Sequence, residues 1–232
     1  MDLVALYTQT QDRIVDLVTP LSAPALAGPV PGTPRWTVVQ LVAHLAGVCH
    51  DVGSGEVDGA ATEPWTARQV AAREGRTLPA LLAEWRDRTP ALLTMLAAPG
   101  RADSAAFDIL THEHDLRGAL GLAGASDPAA AAAVTARVTG RLNHLVDKHD
   151  LPGLRLVADD GEWVCGSAGV AVAGTAPTME WFRALFGRRS ASQILTYRWE
   201  GDPTPYFPMF SLFGPLPSAD VAEAGAPVPG AS

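Results

Sequence analysis

The segment Asp108-Ile-Leu-Thr-His112-Glu-His-Asp115 carries a carboxylate and an imidazole four residues apart in a stretch with helical character. At 3.6 residues per turn, side chains at i and i+4 lie one above the other on one helix face, with about 6 Å between their backbone positions. Asp108 and His112 are therefore close enough to hold one metal ion. The segment predicts a helix with a metal-binding face.

A second histidine, His44, lies in the earlier segment Trp36-Thr-Val-Val-Gln-Leu-Val-Ala-His44-Leu-Ala-Gly-Val. Thr37, with Gln40 three residues later, forms a capping box, so a helix is expected to begin here and to end near Gly53. His44 falls at the edge of the apolar face of this helix and should point inward. One ligand from this helix and two from the other would leave coordination positions open, which is typical of catalytic rather than structural zinc.

Composition predicts a globular protein with a small-molecule partner. The chain has 232 residues, and 47% of them are hydrophobic, which is enough for a substantial core. A formal net charge of -8 opposes binding to nucleic acid or to an anionic membrane surface. We therefore expect no nucleic-acid partner and no membrane partner.

The N-terminal residues, the length of the apolar runs and the cysteine content predict a cytoplasmic location. Near its N-terminus the chain has an acid, Asp2, where a secretory signal needs a basic residue, and no sustained apolar segment follows it. No run reaches the roughly 18 apolar residues of a membrane-spanning helix. Cys49 and Cys165 fit reduced thiols better than a disulfide.

The hydrophobic period changes once along the chain, from helical to strand spacing. Principal helices are predicted at about residues 2–21, 37–53, 77–96, 105–120 and 128–149. Short strands are predicted at 154–158, 163–165 and 170–173, the first two joined by the hairpin signal Asp159-Asp-Gly161, with a helix at 177–186. The fold class is therefore α+β: a four-helix bundle over residues 1–150, a small α+β domain over 151–214, and a mobile Pro/Ala/Gly-rich tail over 215–232.

Three groups of motifs carry a family resemblance. They are Trp36-Thr-Val…Val42-Ala-His44-Leu; Asp108-x-x-x-His112-x-x-Asp115-Leu-Arg117; and Gly174-Thr-Ala…Phe186-Gly-Arg188 with Glu200-Gly-Asp202. In these motifs and in their order, the chain resembles the mycothiol-dependent maleylpyruvate isomerase family of the DinB-like (YfiT-like) metal-binding helix bundles. The resemblance extends to about Gly214 and implies a sterol-carrier-like C-terminal domain.

The resemblance also implies a ligand set and a thiol. It assigns a divalent metal, usually zinc, to His44, Asp108 and His112, and mycothiol as the thiol co-substrate. The acid is a glutamate in the family, so Asp108 is a departure with a shorter arm. Asp115, one turn after His112, could accept the other ring hydrogen of that histidine. Arg188 is expected to hold an anionic group of the substrate, although Arg188 and Arg189 could instead pair with helix-end carbonyls.

The leading hypothesis is a metal-dependent enzyme that uses a low-molecular-weight thiol, mycothiol, on a small electrophilic and anionic substrate. The reaction would be isomerisation through a reversible thiol adduct, or S-transfer if the adduct is released. The protein is expected to be a monomer or a homodimer.

Two alternatives remain open at this level. The first is a non-catalytic module for a small molecule or lipid, with a structural or vestigial metal and four aromatic residues as the ligand lining: Trp163, Trp181, Phe182 and Phe186. Those aromatics could equally form the core of the small domain. The second is metal-assisted hydrolysis, which needs a general base near the metal. Glu113 points away from the predicted site in a helical model, and His114 lies about 200° around the helix from His112.

Overall fold

The chain folds into two compact units. The computed structural model describes residues 1–98, 103–122 and 124–223. Contacts divide the chain into Met1–Leu122 and Ala123–Ser232. Helices dominate the first unit and a four-stranded sheet with helices forms the second, so the α+β class is confirmed.

The first unit is a four-helix bundle with two additional short helices among its described residues. The helices are α1 (Leu3–Val18), α2 (Ala23–Leu26), α3 (Val38–Ser54), α4 (Glu63–Ala71), α5 (Leu78–Ala97) and α6 (Asp103–Ala119). Of the four long helices, α1 contacts α5 and α6, and α3 contacts the same two, so each long helix has two neighbours in the bundle. The short helix α4 packs on the outside of α3.

Local sequence sets where the bundle helices begin and end. The Asp2 carboxylate accepts hydrogen bonds from the first backbone N–H groups of α1. The predicted capping box of α3 is present, since the Thr37 side chain accepts from the Gln40 backbone and the Gln40 side chain accepts from the Thr37 backbone. Gly55, with φ of 78°, ends α3 in the left-handed conformation that glycine adopts without strain.

The helices of the bundle pack around an apolar core. Its largest fully buried side chains are Tyr7, Ile14, Leu41, Leu45, Leu81, Trp85 and Leu92. The indole N–H of Trp85 donates to the Tyr7 hydroxyl at 2.8 Å, so the polar ends of these two aromatics satisfy each other. Among the described residues, no helix combines the length and apolar character that crossing a membrane requires.

The second unit is built around a mixed sheet. Its elements are α7 (Pro128–Lys148), β1 (Gly153–Val157), β2 (Glu162–Cys165), β3 (Val170–Thr175), α8 (Thr178–Leu185), α9 (Ala191–Leu195), β4 (Arg198–Glu200), a 3-10 turn (Thr204–Tyr206) and α10 (Phe207–Phe210). The strand order is β2-β1-β3-β4, with β1 antiparallel to β2 and parallel to β3, and with β3 antiparallel to β4. The predicted hairpin is therefore present as β1 and β2.

Helix α7 belongs to the second unit, whereas the sequence predicts it as part of a bundle over residues 1–150. It contacts α8 and β2. Its apolar stripe, with Val134, Val138, Leu142 and Val146, is buried. Only a few residues separate the end of α7 from the start of β1. The apolar face of the helix therefore packs against the sheet that follows it. The four helices of the bundle are accordingly all found before Leu122.

Polar contacts tie the described part of the predicted tail to the second unit. Asp220 accepts hydrogen bonds from Ser190 and Ser192, and Glu223 pairs with Arg183 and Arg189. These contacts hold residues that composition alone predicts to be mobile. The rest of the predicted tail, residues 224–232, lies outside the described residues.

Candidate metal centre

Helices α3 and α6 bring His44, Asp108 and His112 together. Asp108 Oδ2 lies 3.4 Å from His44 Nε2, and Asp108 Oδ1 lies 3.3 Å from His112 Nε2. One ligand atom from each residue can be chosen so that all three lie within 4.8 Å of one another. The i, i+4 spacing on α6 aligns the acid with one histidine, and packing of α6 against α3 supplies the other.

The separations suit a tetrahedral cation. Two ligand atoms about 2.05 Å from a tetrahedral zinc lie about 3.3 Å apart, and each histidine Nε2 lies about that far from one Asp108 oxygen, Oδ2 for His44 and Oδ1 for His112. Asp108 Oδ2 is buried and has no hydrogen-bond partner, an expensive condition for a carboxylate oxygen unless a cation satisfies it. The donor set of two imidazoles and one carboxylate also suits zinc. The shorter arm of aspartate therefore reaches both histidines without a glutamate.

Charge coupling within the cluster shifts the pKa values of its members. Burial raises the pKa of Asp108, but the charges of His112 and His44 outweigh it and hold that pKa well below its ordinary value. Burial lowers the pKa of His112, yet Asp108 and Asp115 raise it to about 8. The pKa of His44 is lowered, mainly by burial, against opposing contributions from Asp108 and Gln69.

Asp115 lies against the outer ring nitrogen of His112. Its Oδ2 lies 2.9 Å from His112 Nδ1, and the Asp115 side chain is fully buried. A carboxylate only accepts, so the imidazole donates from Nδ1 and, once neutral, presents the Nε2 lone pair toward Asp108. This carboxylate–histidine arrangement is common behind zinc-binding histidines.

Trp36 covers one side of both histidines. Its ring centre lies 4.6 Å from that of His44 and 6.0 Å from that of His112. The two imidazoles meet edge to face, with centres 5.0 Å apart. Trp36 immediately precedes Thr37, the N-cap residue of α3. The capping contacts that fix Thr37 therefore also fix the backbone next to Trp36. In the sequence, Trp36 is part of the first family motif and carries no predicted role at the site.

The other polar residues of the α6 segment have separate partners. Arg13 of α1 donates to both carboxylate oxygens of Glu113 at 2.8–3.0 Å, and Glu113 is fully buried. His114 donates from Nδ1 to the Leu110 carbonyl at 2.8 Å. Neither residue belongs to the cluster of possible metal ligands. Glu113 instead ties α6 to α1.

Arg188 lies in the second unit, just after α8. It is buried, and its Nη1 donates to the Phe186 carbonyl at 2.8 Å, which is the helix-end pairing that the sequence left open as an alternative. Arg189 donates to both carboxylate oxygens of Glu180, each at 2.7 Å. Its Nη1 also donates to the Arg188 carbonyl at 2.7 Å and to Glu223 at 2.9 Å, so these partners all lie in its own unit.

Gln69 is a buried polar residue packed against α3 for which the sequence gives no signal. It lies on α4, is 2% exposed, and contributes to the environment of His44. A lone glutamine in a short helix has no motif or spacing that marks it. Only the packing of α4 on α3 shows where it lies.

Comparison with known proteins agrees with the motifs. Residues 7–107 match the family model described as the mycothiol maleylpyruvate isomerase N-terminal domain. This range contains His44 and ends one residue before Asp108. No curated protein sequence matches the chain.

Solved structures extend the likeness over most of the chain. The fold is similar to a crystal structure of the mycothiol-dependent maleylpyruvate isomerase, with a TM-score of 0.52 and 12% identity, covering 82% of this chain and 92% of the other. A structure of a histidine-to-alanine mutant of a mycothiol-dependent maleylpyruvate isomerase gives 0.51 and 11% with the same coverage. The match of residues 7–107 to the mycothiol maleylpyruvate isomerase N-terminal domain model agrees with the resemblance in the sequence motifs, and the solved structures show the shared fold.

Proposed function

We propose that the protein is a metal-dependent enzyme that uses mycothiol as co-substrate on a small electrophilic, anionic molecule, as an isomerase or an S-transferase. The observation that carries the proposal is the cluster of His44, Asp108 and His112, in which the Nε2 atoms of both histidines face the Asp108 carboxylate and its Oδ2 makes no hydrogen bond. The match of residues 7–107 to the mycothiol maleylpyruvate isomerase N-terminal domain model supports mycothiol as the co-substrate. A low-molecular-weight thiol also agrees with the cytoplasmic location predicted from the sequence.

Each residue has a defined role in this proposal. His44 and His112 would hold a divalent ion, zinc in the first instance, through Nε2, and Asp108 would hold it through its carboxylate. Such an ion supplies a Lewis acid that lowers the pKa of a thiol or water reaching it. Asp115 keeps the proton of His112 on Nδ1, and Trp36 shields the two imidazoles from water on one side.

The proposed reaction balances without an outside oxidant or reductant. In an isomerisation, the thiolate sulfur adds to a carbon–carbon double bond that is conjugated to a carbonyl. The bond becomes single and rotates, and expulsion of the same thiolate restores the double bond. In an S-transfer, the thiolate instead displaces a leaving group or opens a strained ring, and the adduct is released. We assign Arg188 to the substrate carboxylate on the strength of the family motif.

The binding-module alternative has less support. Of the four aromatics that could line a lipid site, Trp181, Phe182 and Phe186 are fully buried. Phe182 and Phe186 pack together with ring centres 4.8 Å apart, and Trp181 packs against Tyr197 and Trp199. They account for the core of their own unit. Hydrolysis needs a general base near the metal, and the Glu113 carboxylate is bound to Arg13 instead.

Metal content and thiol dependence test the proposal together. The purified protein is analysed for bound metal, and mycothiol is then titrated while thermal unfolding is followed. Unsaturated acids and epoxides are screened as substrates with and without mycothiol. We expect about one zinc per chain, stabilisation by the thiol, and turnover only when the thiol is present.

His44→Ala is the control, and it should lose the metal and the thiol response together. A folded wild-type protein that binds no divalent ion at micromolar concentration would overturn the metal centre. A metal-loaded protein that mycothiol neither stabilises nor activates would overturn the thiol chemistry while leaving the metal centre intact.

A further inference from the structure

The two histidines of the candidate centre differ in how their outer nitrogens are satisfied. His112 Nδ1 pairs with Asp115 at 2.9 Å. His44 Nδ1 is buried and has no partner that meets hydrogen-bond geometry. A buried ring N–H without an acceptor is costly, and zinc-binding histidines almost always have one. The structure therefore raises the question of which group completes His44.

Gln69 is placed to be that group. Its Oε1 is also buried without a partner that meets hydrogen-bond geometry. Its side chain packs against Gly47, one turn after His44 on α3. Since Oε1 accepts and a neutral imidazole nitrogen can donate, the two unpartnered atoms are chemically complementary.

Two neighbours fix the position and direction of the Gln69 amide. Gln69 Nε2 donates to Asp51 Oδ2 at 2.8 Å, so Oε1 is the end that remains for His44. Gly47, one turn after His44 on α3, allows the close approach, because a Cβ there would lie 2.5 Å from Gln69 Cβ and 2.7 Å from its Cγ. Helix α4 therefore packs with the glutamine directly over the turn that carries His44.

We propose that Gln69, held by Asp51, is a positioning residue that accepts the Nδ1 hydrogen of His44 and so keeps Nε2 free to bind the metal. The inference rests on the metal centre of the proposed function and adds a residue to it. Asp108 Oδ2, 3.4 Å from Nε2, competes by favouring a proton on that nitrogen. Gln69 acts against this competition because it offers an acceptor on the opposite side of the ring.

The decisive experiment measures zinc affinity by competition with a chromophoric chelator, and repeats the titration with Co²⁺ to record the visible absorption of the site. Gln69→Met keeps the length and burial of the side chain but removes the acceptor. We expect it to weaken zinc binding by about 10- to 100-fold, the usual effect of losing a group that orients a ligand. Asp51→Ala, which frees the amide to rotate, should weaken binding in the same direction.

A reversed pair separates positioning from packing. In Gln69→Glu/Asp51→Asn the new carboxylate can accept from both His44 and the new amide, and the net charge is unchanged. We expect this double variant to bind zinc with an affinity within about threefold of the wild type, and to show a Co²⁺ spectrum like that of the wild type. Thr89→Val removes a buried hydroxyl of the same unit that bonds Gln11 and Trp85. It should lower stability and leave zinc affinity unchanged.

The outcomes distinguish this inference from the proposed function. If the wild-type protein binds zinc and Gln69→Met binds it within about threefold of that affinity, the inference is wrong and the metal centre stands. The inference is also wrong if the reversed pair binds as weakly as Gln69→Met while remaining folded, because the loss then reflects packing. A wild-type protein without metal affinity overturns both.

Discussion

Metal binding should release a proton from His112, and the affinity should depend on pH for that reason. In the metal-free protein the pKa of His112 is about 8, because Asp108 and Asp115 more than offset the effect of burial. A histidine must lose its Nε2 proton before that nitrogen can bind a metal. Asp108 is already ionised, since its pKa is held well below the ordinary value. The pKa of His44 lies below 6.5.

The size of the effect follows from the single proton on His112. With a pKa of about 8, the apparent Kd at pH 7 is about elevenfold above its high-pH limit, at pH 8 about twofold above, and at pH 9 close to the limit. About 0.9 proton should be released per metal bound at pH 7, and about 0.1 at pH 9.

Stability of the metal-free protein should change in the opposite direction. The pKa of His112 in the folded protein lies above its ordinary value of 6.5, so its contribution to stability is complete below pH 6.5 and is lost as the pH rises through 8. The full loss is about 2 kcal/mol, and about 1.5 kcal/mol of it falls between pH 6.5 and 8.5. Urea unfolding of metal-free protein at pH 6.5 and 8.5 measures it.

Calorimetric titration of zinc in two buffers of different ionisation enthalpy counts the released protons directly. Chelator competition at pH 7, 8 and 9 gives the Kd series, and the zinc–hydroxide and zinc–chelator equilibria are corrected at each pH. A flat corrected Kd with no proton release between pH 7 and 9 would show that His112 is neutral in the metal-free protein. The ion-pair geometry described for it would then be refuted.

Three further variants probe other contacts. His112→Ala should remove most zinc binding by chelator competition, whereas His114→Ala should retain it; equal loss in both would contradict the helix register. Glu113→Ala should lower the free energy of unfolding in urea by about 2 to 3 kcal/mol without changing zinc affinity, below the full cost of a broken buried pair because the Arg13 side chain is 27% exposed. Arg188→Lys should raise KM for an anionic substrate at least tenfold with bound zinc unchanged, and an unaltered KM would exclude its contact with the substrate.

Periodicity predicted the long helices of the bundle because each has its own apolar stripe and cap. Proline in a helix interior usually kinks or breaks the helix, yet α5 continues as one element from Leu78 to Ala97 with Pro90 inside it. Helix α7 shows what periodicity lacks. An apolar stripe indicates that a face is covered, and the partner that covers it depends on the chain that follows.

The candidate centre was partly accessible from sequence for a similar reason. Spacing on one helix fixes Asp108 against His112 and Asp115, since all three lie within two turns. The position of His44 beside Asp108 depends on the packing of α3 against α6. The amphipathic pattern of its helix predicted only that His44 points inward, and the family motif assigned it to the same metal. Gln69 depends on a further packing step, of α4 on α3 through Gly47, and no local pattern encodes it.

The two groups behind the histidines differ in charge, and this difference bears on the thiol chemistry. Asp115 places a negative charge behind His112, whereas Gln69 places a neutral amide behind His44. A thiol ionises more readily where the surrounding charge is more positive. Moving a carboxylate to position 69 in Gln69→Glu/Asp51→Asn should therefore raise the pKa of a thiol bound at a zinc-loaded centre while zinc affinity is kept.

The pH dependence of mycothiol binding, or of thiol-dependent turnover, measures this shift. In the reversed pair the midpoint should move to higher pH, and the Asp115→Asn variant should move it to lower pH. If both variants keep the wild-type midpoint, the charge behind the histidines does not control the thiol. Gln69 would then act on His44 alone, through the direction of its hydrogen bond.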